Sequence, residues 1–165
     1  MATRLSKSLL MAGIAFFYSL VVFNNLTDFD SNYQFVRHVL SMDSTIPGNL
    51  GLWRAISSPA IHVTFYCGII GWELTSAVLL GWGALRLFRA LRAPAIEFNA
   101  AKRIPLFALT LSMTMWLVAF LSIGGEWFLM WQSHFWNGQE AAFRMFVVVG
   151  LVFLIVMNPD VDGQP

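Results

Sequence analysis

Four long stretches of the chain are almost wholly apolar, and most polar and charged residues lie between them. The stretches fall at about residues 8–25, 59–85, 105–124 and 140–157, each close to the ~20 residues that a helix needs to cross a bilayer. Backbone N–H and C=O groups in lipid need hydrogen-bond partners within the protein, and a helix supplies these partners within each stretch. We therefore predict an all-α fold, a membrane-embedded four-helix bundle that forms a single domain over residues 1–165.

The composition supports a membrane protein and limits the alternatives. Of 165 residues, 58% are hydrophobic and 12% are charged, which is far from the average of soluble proteins. The net charge of +1 gives no reason to expect a nucleic-acid partner. Arg4 and Lys7 precede the first apolar stretch, and no small-residue cleavage pattern follows it, so we expect an uncleaved signal-anchor helix.

Basic residues are unevenly distributed around the apolar stretches, and this predicts the orientation. Seven of them flank the first three stretches on one side: Arg4, Lys7, Arg86, Arg89, Arg92, Lys102 and Arg103. That side is expected to be cytoplasmic, with both termini there and the protein in the cytoplasmic (inner) membrane. The corresponding outer loops are about 26–58 and 125–139, and the inner loop is about 86–104. A polar tail at 158–165 is expected to be loose.

The first outer loop is long enough to hold structure of its own. Ser31 to Gln34 fits a capping box, and apolar residues then recur at helical spacing with polar residues on the other face. The apolar positions are Phe35, Val36, Val39, Leu40 and Met42. This pattern predicts a short amphipathic helix at the outer interface, followed by a break at Pro47-Gly48-Asn49.

Three longer motifs distinguish the chain from an arbitrary four-span protein. They are Phe35-Val-Arg-His-Val-Leu-Ser-Met-Asp43, Trp53-Arg-Ala-Ile56, and Gly124-Gly-Glu-Trp-Phe-Leu-Met-Trp-Gln-Ser133 with Trp136-Asn-Gly138. On these motifs the chain resembles a bacterial family of predicted small integral membrane proteins that is known only as a domain of unknown function. The resemblance covers essentially the whole chain. It implies a four-span membrane protein and brings no activity, cofactor or catalytic residue with it.

The second apolar stretch carries a stripe of polar side chains. His62, Tyr66 and Glu73 are four and then seven residues apart, so a helix presents all three on one narrow face. An acid near mid-membrane is costly, so we expect Glu73 to be uncharged at neutral pH. On one interpretation the stripe is functional and forms a proton path or one wall of a ligand site. On the other it is structural, and Glu73 is hydrogen-bonded to a side chain of a neighbouring span. The candidate partners are Ser19, Thr110, Ser112 and Trp116.

Charged and aromatic residues surround the loop between the third and fourth stretches. Glu126 and Glu140 both lie where they can pair with Arg144, which predicts an outer-side clamp, with an anion or headgroup site as the alternative. Tryptophan prefers the membrane–water interface, so an outer aromatic belt is predicted as well. Its members are Trp53, Trp127, Trp131 and Trp136.

The three histidines all fall on the predicted outer side. His38, His62 and His134 share no short ligand spacing, so no metal site and no cofactor are expected. A metal held by these histidines remains an alternative, as does a haem held by His62 and a methionine from another span.

The sequence contains no nucleophile with its base, no phosphate-binding loop and no dinucleotide fingerprint. Whether the protein is an enzyme stays open, with the preference against it. We favour an accessory or scaffold component of a membrane complex, which contacts lipids and binds a membrane-protein partner or a second copy of itself. The alternative is a small redox or transport protein that uses the His62, Tyr66 and Glu73 stripe.

Overall fold

The computed structural model describes residues 1–162 and folds them into helices, with no β-strand in that range. The α-helices are α1 (Ala2–Thr27), α2 (Phe29–Ser41), α3 (Pro59–Arg89), α4 (Ala95–Ala101), α5 (Arg103–Thr114) and α6 (Gln139–Met157). A π-helix over Met115–Trp127 continues α5. Two short 3₁₀ helices cover Leu50–Arg54 and Met130–Gln132.

Four helical segments are long and apolar enough to cross a membrane. They are Ala2–Thr27, Pro59–Arg89, Ala95–Trp127 and Gln139–Met157. In each, about a third or less of the most apolar window is buried inside the protein, which leaves the remaining apolar surface for lipid. The predicted all-α, four-helix membrane fold is confirmed.

The spans pack in a closed order. Helix α1 lies along α3, α3 along α5, and α5 with its π continuation along α6, which returns to α1. Three spans approach closely at Gly83 of α3, where an added Cβ would lie 3.0 Å from the Met11 Cε atom and 3.2 Å from the Pro105 Cα atom. Gly83 therefore lets three spans meet at one point. Gly81 of the same helix faces open space.

The two ends of the bundle differ. The terminal end contains the start of α1, the α3–α4 turn and the chain after α6, which are joined by hydrogen bonds from Arg4 to Ala93 (2.6 Å) and to Asp162 (3.1 Å). The loop end carries a folded cap made of α2, both 3₁₀ helices and the residues that connect them to the spans. Val36, Leu40, Phe128 and Met130 of this loop-end cap pack on α3 in a second apolar cluster. 

Helix α2 is the predicted amphipathic helix, but the predicted capping box is wrong. The helix begins at Phe29, after Asp28, and the Ser31 hydroxyl donates to the Asp28 carboxylate (2.7 Å) rather than capping a later turn. The helix therefore starts before the residues that the capping box required. It ends at Ser41, and the next residue, Met42, has a φ of 52° in the left-handed region that commonly terminates helices.

The connection at 86–104 is not a simple loop. Helix α3 continues to Arg89, and the separate helix α4 follows a short turn. Phe98 of α4 is fully buried, and the Arg4 guanidinium lies 5.0 Å from its ring centroid. The apolar side of α4 thus covers the terminal end of the bundle, which the sequence pattern did not predict.

The chain after α6 is tied to the bundle through residue 162, so the expectation of a loose tail is wrong there; residues 163–165 lie outside the described range. The Asp160 carboxylate accepts from the Lys7 ammonium at 2.6 Å and from the Lys102 ammonium at 2.5 Å. Both lysines also donate to the Asn158 carbonyl, at 2.7 and 2.6 Å. Two of the basic residues used for orientation are therefore buried in what we call the Asp160 cluster (Lys7, Lys102, Asn158 and Asp160).

The cluster also sets the ionisation of Asp160. Burial by itself raises the pKa of this carboxyl, but the hydrogen bonds and charges of Lys102 and Lys7 outweigh burial and place the pKa below its usual value. The carboxylate therefore stays charged at neutral pH and holds two ammonium groups in place.

Candidate functional site

A network of polar side chains lies inside the bundle, in the half nearest the loop end. It starts from the α3 stripe, in which His62, Tyr66 and Glu73 are all buried. The Oε2 atom of Glu73 accepts a hydrogen bond from the Asn25 side-chain amide at 2.6 Å. The Asn25 carbonyl oxygen in turn accepts from Tyr66 (3.2 Å) and from Asn32 (2.7 Å). Asn25 is thus the centre of the network.

The four partners considered for Glu73 from the sequence are wrong, and Asn25 was missed. The reason is its position near the end of α1, at the last position of the first apolar stretch, where a polar residue was expected to face the membrane boundary. The spacing along α1 could have identified it. Met11, Tyr18 and Val22 recur at helical spacing and are buried on one face, and Asn25 lies one turn further along the same face.

Two of those candidate partners belong to a second network nearby. The Trp116 indole N–H donates to the Tyr18 hydroxyl at 2.7 Å, and Tyr18 is also hydrogen-bonded to Ser112. Ser76, one turn along α3 from Glu73, is buried with no hydrogen-bond partner for its hydroxyl among the described residues. Towards the terminal end, the fully buried apolar side chains of Leu80 and Leu109 follow Ser76 and Ser112 along their helices.

A cavity of about 340 Å³ lies beside the Glu73 network. Residues from α1, α2, α3, the π-helix and the start of α6 line it, including Asn25, Tyr66, Glu73, Trp116 and Phe120. The Trp116 and Phe120 rings lie 4.9 Å apart on consecutive turns of the π-helix. The irregular half of the third span thus supplies the aromatic side of this cavity.

The stripe is not a continuous chain of hydrogen bonds. The ring nitrogen Nε2 of His62 lies 2.7 Å from the Ile56 carbonyl oxygen, so His62 fastens the start of α3 to the preceding segment. Within the described chain, no hydrogen bond joins His62 to Tyr66 or Glu73. The polar path that the spacing suggested is therefore interrupted between His62 and Tyr66.

The histidines are also apart from each other. His38 is hydrogen-bonded to Asp43 (2.8 Å) and its ring stacks on Trp136 with centroids 4.5 Å apart, whereas His134 is exposed. Across residues 1–162, no group of three or more His, Cys, Asp or Glu side chains is placed to hold a metal ion.

The predicted clamp at Arg144 is wrong. Glu126, Glu140 and Arg144 are all exposed, and none of the ion pairs within 4.0 Å in the described chain involves Arg144. An exposed arginine in the second turn of α6 reaches the aqueous boundary without a buried partner. Polar contacts of neutral groups hold the loop end instead, among them Ser44 to Ser133 (2.8 Å) and Asn49 to Gln132 (3.2 Å).

The predicted aromatic belt divides into two parts. Trp53 and Trp127 are 76% and 49% exposed and meet edge to face, with ring centroids 5.9 Å apart. The Arg54 guanidinium lies 5.8 Å from the Trp53 ring and 5.5 Å from the Trp127 ring. We call these three residues the Trp53–Arg54–Trp127 cluster. Trp131 is exposed, whereas Trp136 is half-buried against His38 and α2.

Comparison with known proteins places the chain in a family. A family described as "predicted small integral membrane protein (DUF2165)" matches residues 3–159, and the chain belongs to it. No curated protein and no solved structure matches the chain. The family description and the four apolar helices agree that this is a small integral membrane protein, and the description carries no activity.

Proposed function

We propose that this small integral membrane protein is an accessory component of a membrane complex and that its loop end binds another membrane protein. The observation that carries the proposal is the Trp53–Arg54–Trp127 cluster, in which two large aromatic rings are exposed while an arginine orders them. Tryptophan and arginine are the residue types that most often supply the binding energy of protein interfaces.

The cluster is held in place by the segments on both sides of it. The Asn49 side chain accepts from the Gly51 backbone N–H at 2.8 Å and caps the 3₁₀ helix that carries Trp53. The Arg54 guanidinium donates to the Gly51 carbonyl (3.3 Å) and to the Glu126 carbonyl (3.5 Å). Two loops that are distant in sequence are thereby joined. An ordered surface loses less entropy on binding than a flexible loop does.

We also propose that the protein lies in the cytoplasmic membrane with both termini in the cytoplasm. Lys7 and Lys102 no longer support this orientation, since both are buried with Asp160. Four exposed arginines at the terminal end support it: Arg86, Arg89, Arg92 and Arg103. Basic residues close to membrane spans favour the cytoplasmic side.

Site-specific photo-crosslinking in native membranes tests the partner proposal. A photoreactive amino acid replaces Trp53 in the full-length protein, and the matched control replaces Trp82, which is 50% exposed near the terminal end of α3. We expect position 53 to give one discrete adduct with another membrane protein, and Arg54→Gln to reduce that adduct several-fold. Position 82 is expected to give no such adduct.

Three results would contradict the partner proposal: adducts with lipid alone at position 53, the same protein adducts at both positions, or an adduct whose mass and peptides come from a second copy of this chain. The last result would replace a foreign partner by self-association.

Cysteine labelling tests the orientation separately. In a Cys67→Ser background, single cysteines replace the exposed residues Pro47 at the loop end and Ala100 at the terminal end. Under the proposal, an impermeant thiol reagent labels position 47 from outside intact cells and labels position 100 only after lysis. Labelling of position 100 alone in intact cells would reverse the proposed orientation.

A further inference from the structure

The intramembrane cavity contains an acid whose position is fixed but whose hydrogen bonding is incomplete. The Glu73 side chain is only 4% exposed, and its Oε2 atom is held by Asn25. Its second oxygen, Oε1, accepts no hydrogen bond from any described residue, and Glu73 lines the cavity. Oε1 is not among the fully buried atoms that lack a partner, so it is accessible, and an accessible acceptor beside the cavity leaves a place for a donor from outside the protein.

The orientation of this acid does not depend on a ligand. Tyr66 and Asn32 both donate to the side-chain oxygen Oδ1 of Asn25, which fixes the amide plane and directs an N–H of the same amide to Glu73. Three helices thus position one carboxyl group: α1, α2 and α3. Preorganisation of this kind lowers the cost of binding, because the polar group does not need to be ordered by the ligand.

The rest of the cavity wall favours a cation. Phe35, Phe120 and Trp116 form one row of rings, with centroid distances of 6.5 Å from Phe35 to Phe120 and 4.9 Å from Phe120 to Trp116. Among the described side chains that line the cavity there is no lysine, arginine or histidine. Aromatic faces attract ammonium groups, and no basic side chain in the cavity wall competes with an amine for the Glu73 proton.

Size and access also limit the ligand. The volume of about 340 Å³ lies at the small end of the ~300–1,000 Å³ that is typical of ligand pockets. Asn24 of α1, Asn32 of α2 and Ala141 of α6 line the cavity and are exposed, so its mouth lies among these three helices at the loop end. A molecule that partitions into the bilayer near the loop end can therefore reach the cavity.

We propose that this cavity binds a small amphiphilic amine, whose nitrogen contacts Glu73 and whose apolar part lies against Phe35, Phe120 and Trp116. The amine enters neutral from the bilayer and takes the proton of the Glu73 carboxylic acid. The products are an ammonium and a carboxylate in contact, so the total charge of the site does not change. No separate charge has to cross the hydrocarbon, which is the costly step for an ion in a membrane.

Binding measurements on the full-length protein in nanodiscs test the proposal. The probe is 4-phenylbutylamine, and 4-phenylbutanol is the matched neutral compound with the same apolar body. We expect saturable 1:1 binding of the amine by calorimetry, and at least tenfold weaker binding of the alcohol. Glu73→Gln should weaken amine binding at least tenfold, whereas Glu126→Gln, an exposed acid at the loop end, should leave it unchanged.

A second variant blocks the cavity in a different way, so the test still decides the proposal if Glu73→Gln misfolds. Ala141→Trp places a ring in the mouth of the cavity and leaves the Glu73 network intact, so it should also abolish amine binding. The proposal is overturned if the wild type shows no saturable amine binding, if the alcohol binds as tightly as the amine, or if both blocked variants bind like the wild type. These outcomes do not depend on the loop-end partner.

Discussion

Replacement of Asp160 by alanine should cause one of the largest losses of stability in this protein. Its side chain is 6% exposed and lies between the ammonium groups of Lys7 and Lys102, which are themselves buried. Without the carboxylate, two like charges remain close together and share only the Asn158 carbonyl as a common acceptor. Removing one partner of a buried ion pair costs about 3–5 kcal/mol.

The assay is reversible unfolding of the full-length protein in mixed micelles, followed by tryptophan fluorescence. The matched control is Asp30→Ala, because Asp30 is an exposed acid whose carboxylate accepts only from Gln34 (3.0 Å) among the described residues. Surface changes of this kind usually stay within about 0.5 kcal/mol. If the free energy of unfolding of Asp160→Ala lies within that margin of the value for Asp30→Ala, the Asp160 cluster does not stabilise the terminal end.

Acid unfolding gives an independent check of the same residue. The pKa of Asp160 is lower in the folded protein than in the unfolded chain, because Lys102 and Lys7 stabilise its carboxylate more than burial destabilises it. Its contribution is therefore fully present above the unfolded value of about 3.9 and is lost as the pH falls through the folded value. The wild type should lose stability below about pH 4, and this component should be missing in Asp160→Ala.

Three further predictions concern the spans. Glu73→Gln should keep the stability of the wild type, since the glutamine oxygen still accepts from Asn25. Glu73→Leu should lower the free energy of unfolding by about 1–3 kcal/mol, because the Asn25 N–H is left without an acceptor. Equal losses for the two variants in the same unfolding assay would contradict this. Gly83→Ala should destabilise by about 1–3 kcal/mol because its Cβ meets the backbone of α5, and Gly81→Ala, which faces open space, serves as the control in thermal melts. Single and double replacements of Glu126 and Arg144 should be additive within about 0.5 kcal/mol, and measurable coupling in a double-mutant cycle would restore the discarded clamp.

The sequence predicts the spans and the amphipathic α2 well, because both depend on local apolar pattern. Apolar stretches of about 20 residues become spans wherever they occur, and the alternation of Val36, Arg37 and Val39 requires an amphipathic surface in any helix. The observed helices contain the predicted stretches and extend past most of their ends. The extensions occur because backbone hydrogen bonds and packing continue a helix beyond its apolar limit.

The sequence predicted only part of the candidate site. Spacing along α3 brought Tyr66 and Glu73 to one face, since helix geometry alone fixes that relation. Their shared partner Asn25 lies 48 residues before Glu73, on a different helix, and the cavity depends on a π-helix that no sequence pattern indicated. Such relations depend on how the helices rotate and pack against each other.

Charge pairing shows the same division. Lys7 and Lys102 lie beside spans in the sequence, and basic residues at such positions usually lie in water or among headgroups. The sequence also predicted that Arg144 pairs with Glu126 or Glu140. The tertiary structure reverses both expectations: the chain after α6 brings Asp160 to the lysines, while no ion pair within 4.0 Å joins Arg144 to an acid among the described residues. Local hydrophobicity thus determined which segments enter the membrane. Only packing decided which charges meet, because an ion pair depends on distances of a few ångströms between residues far apart in the chain.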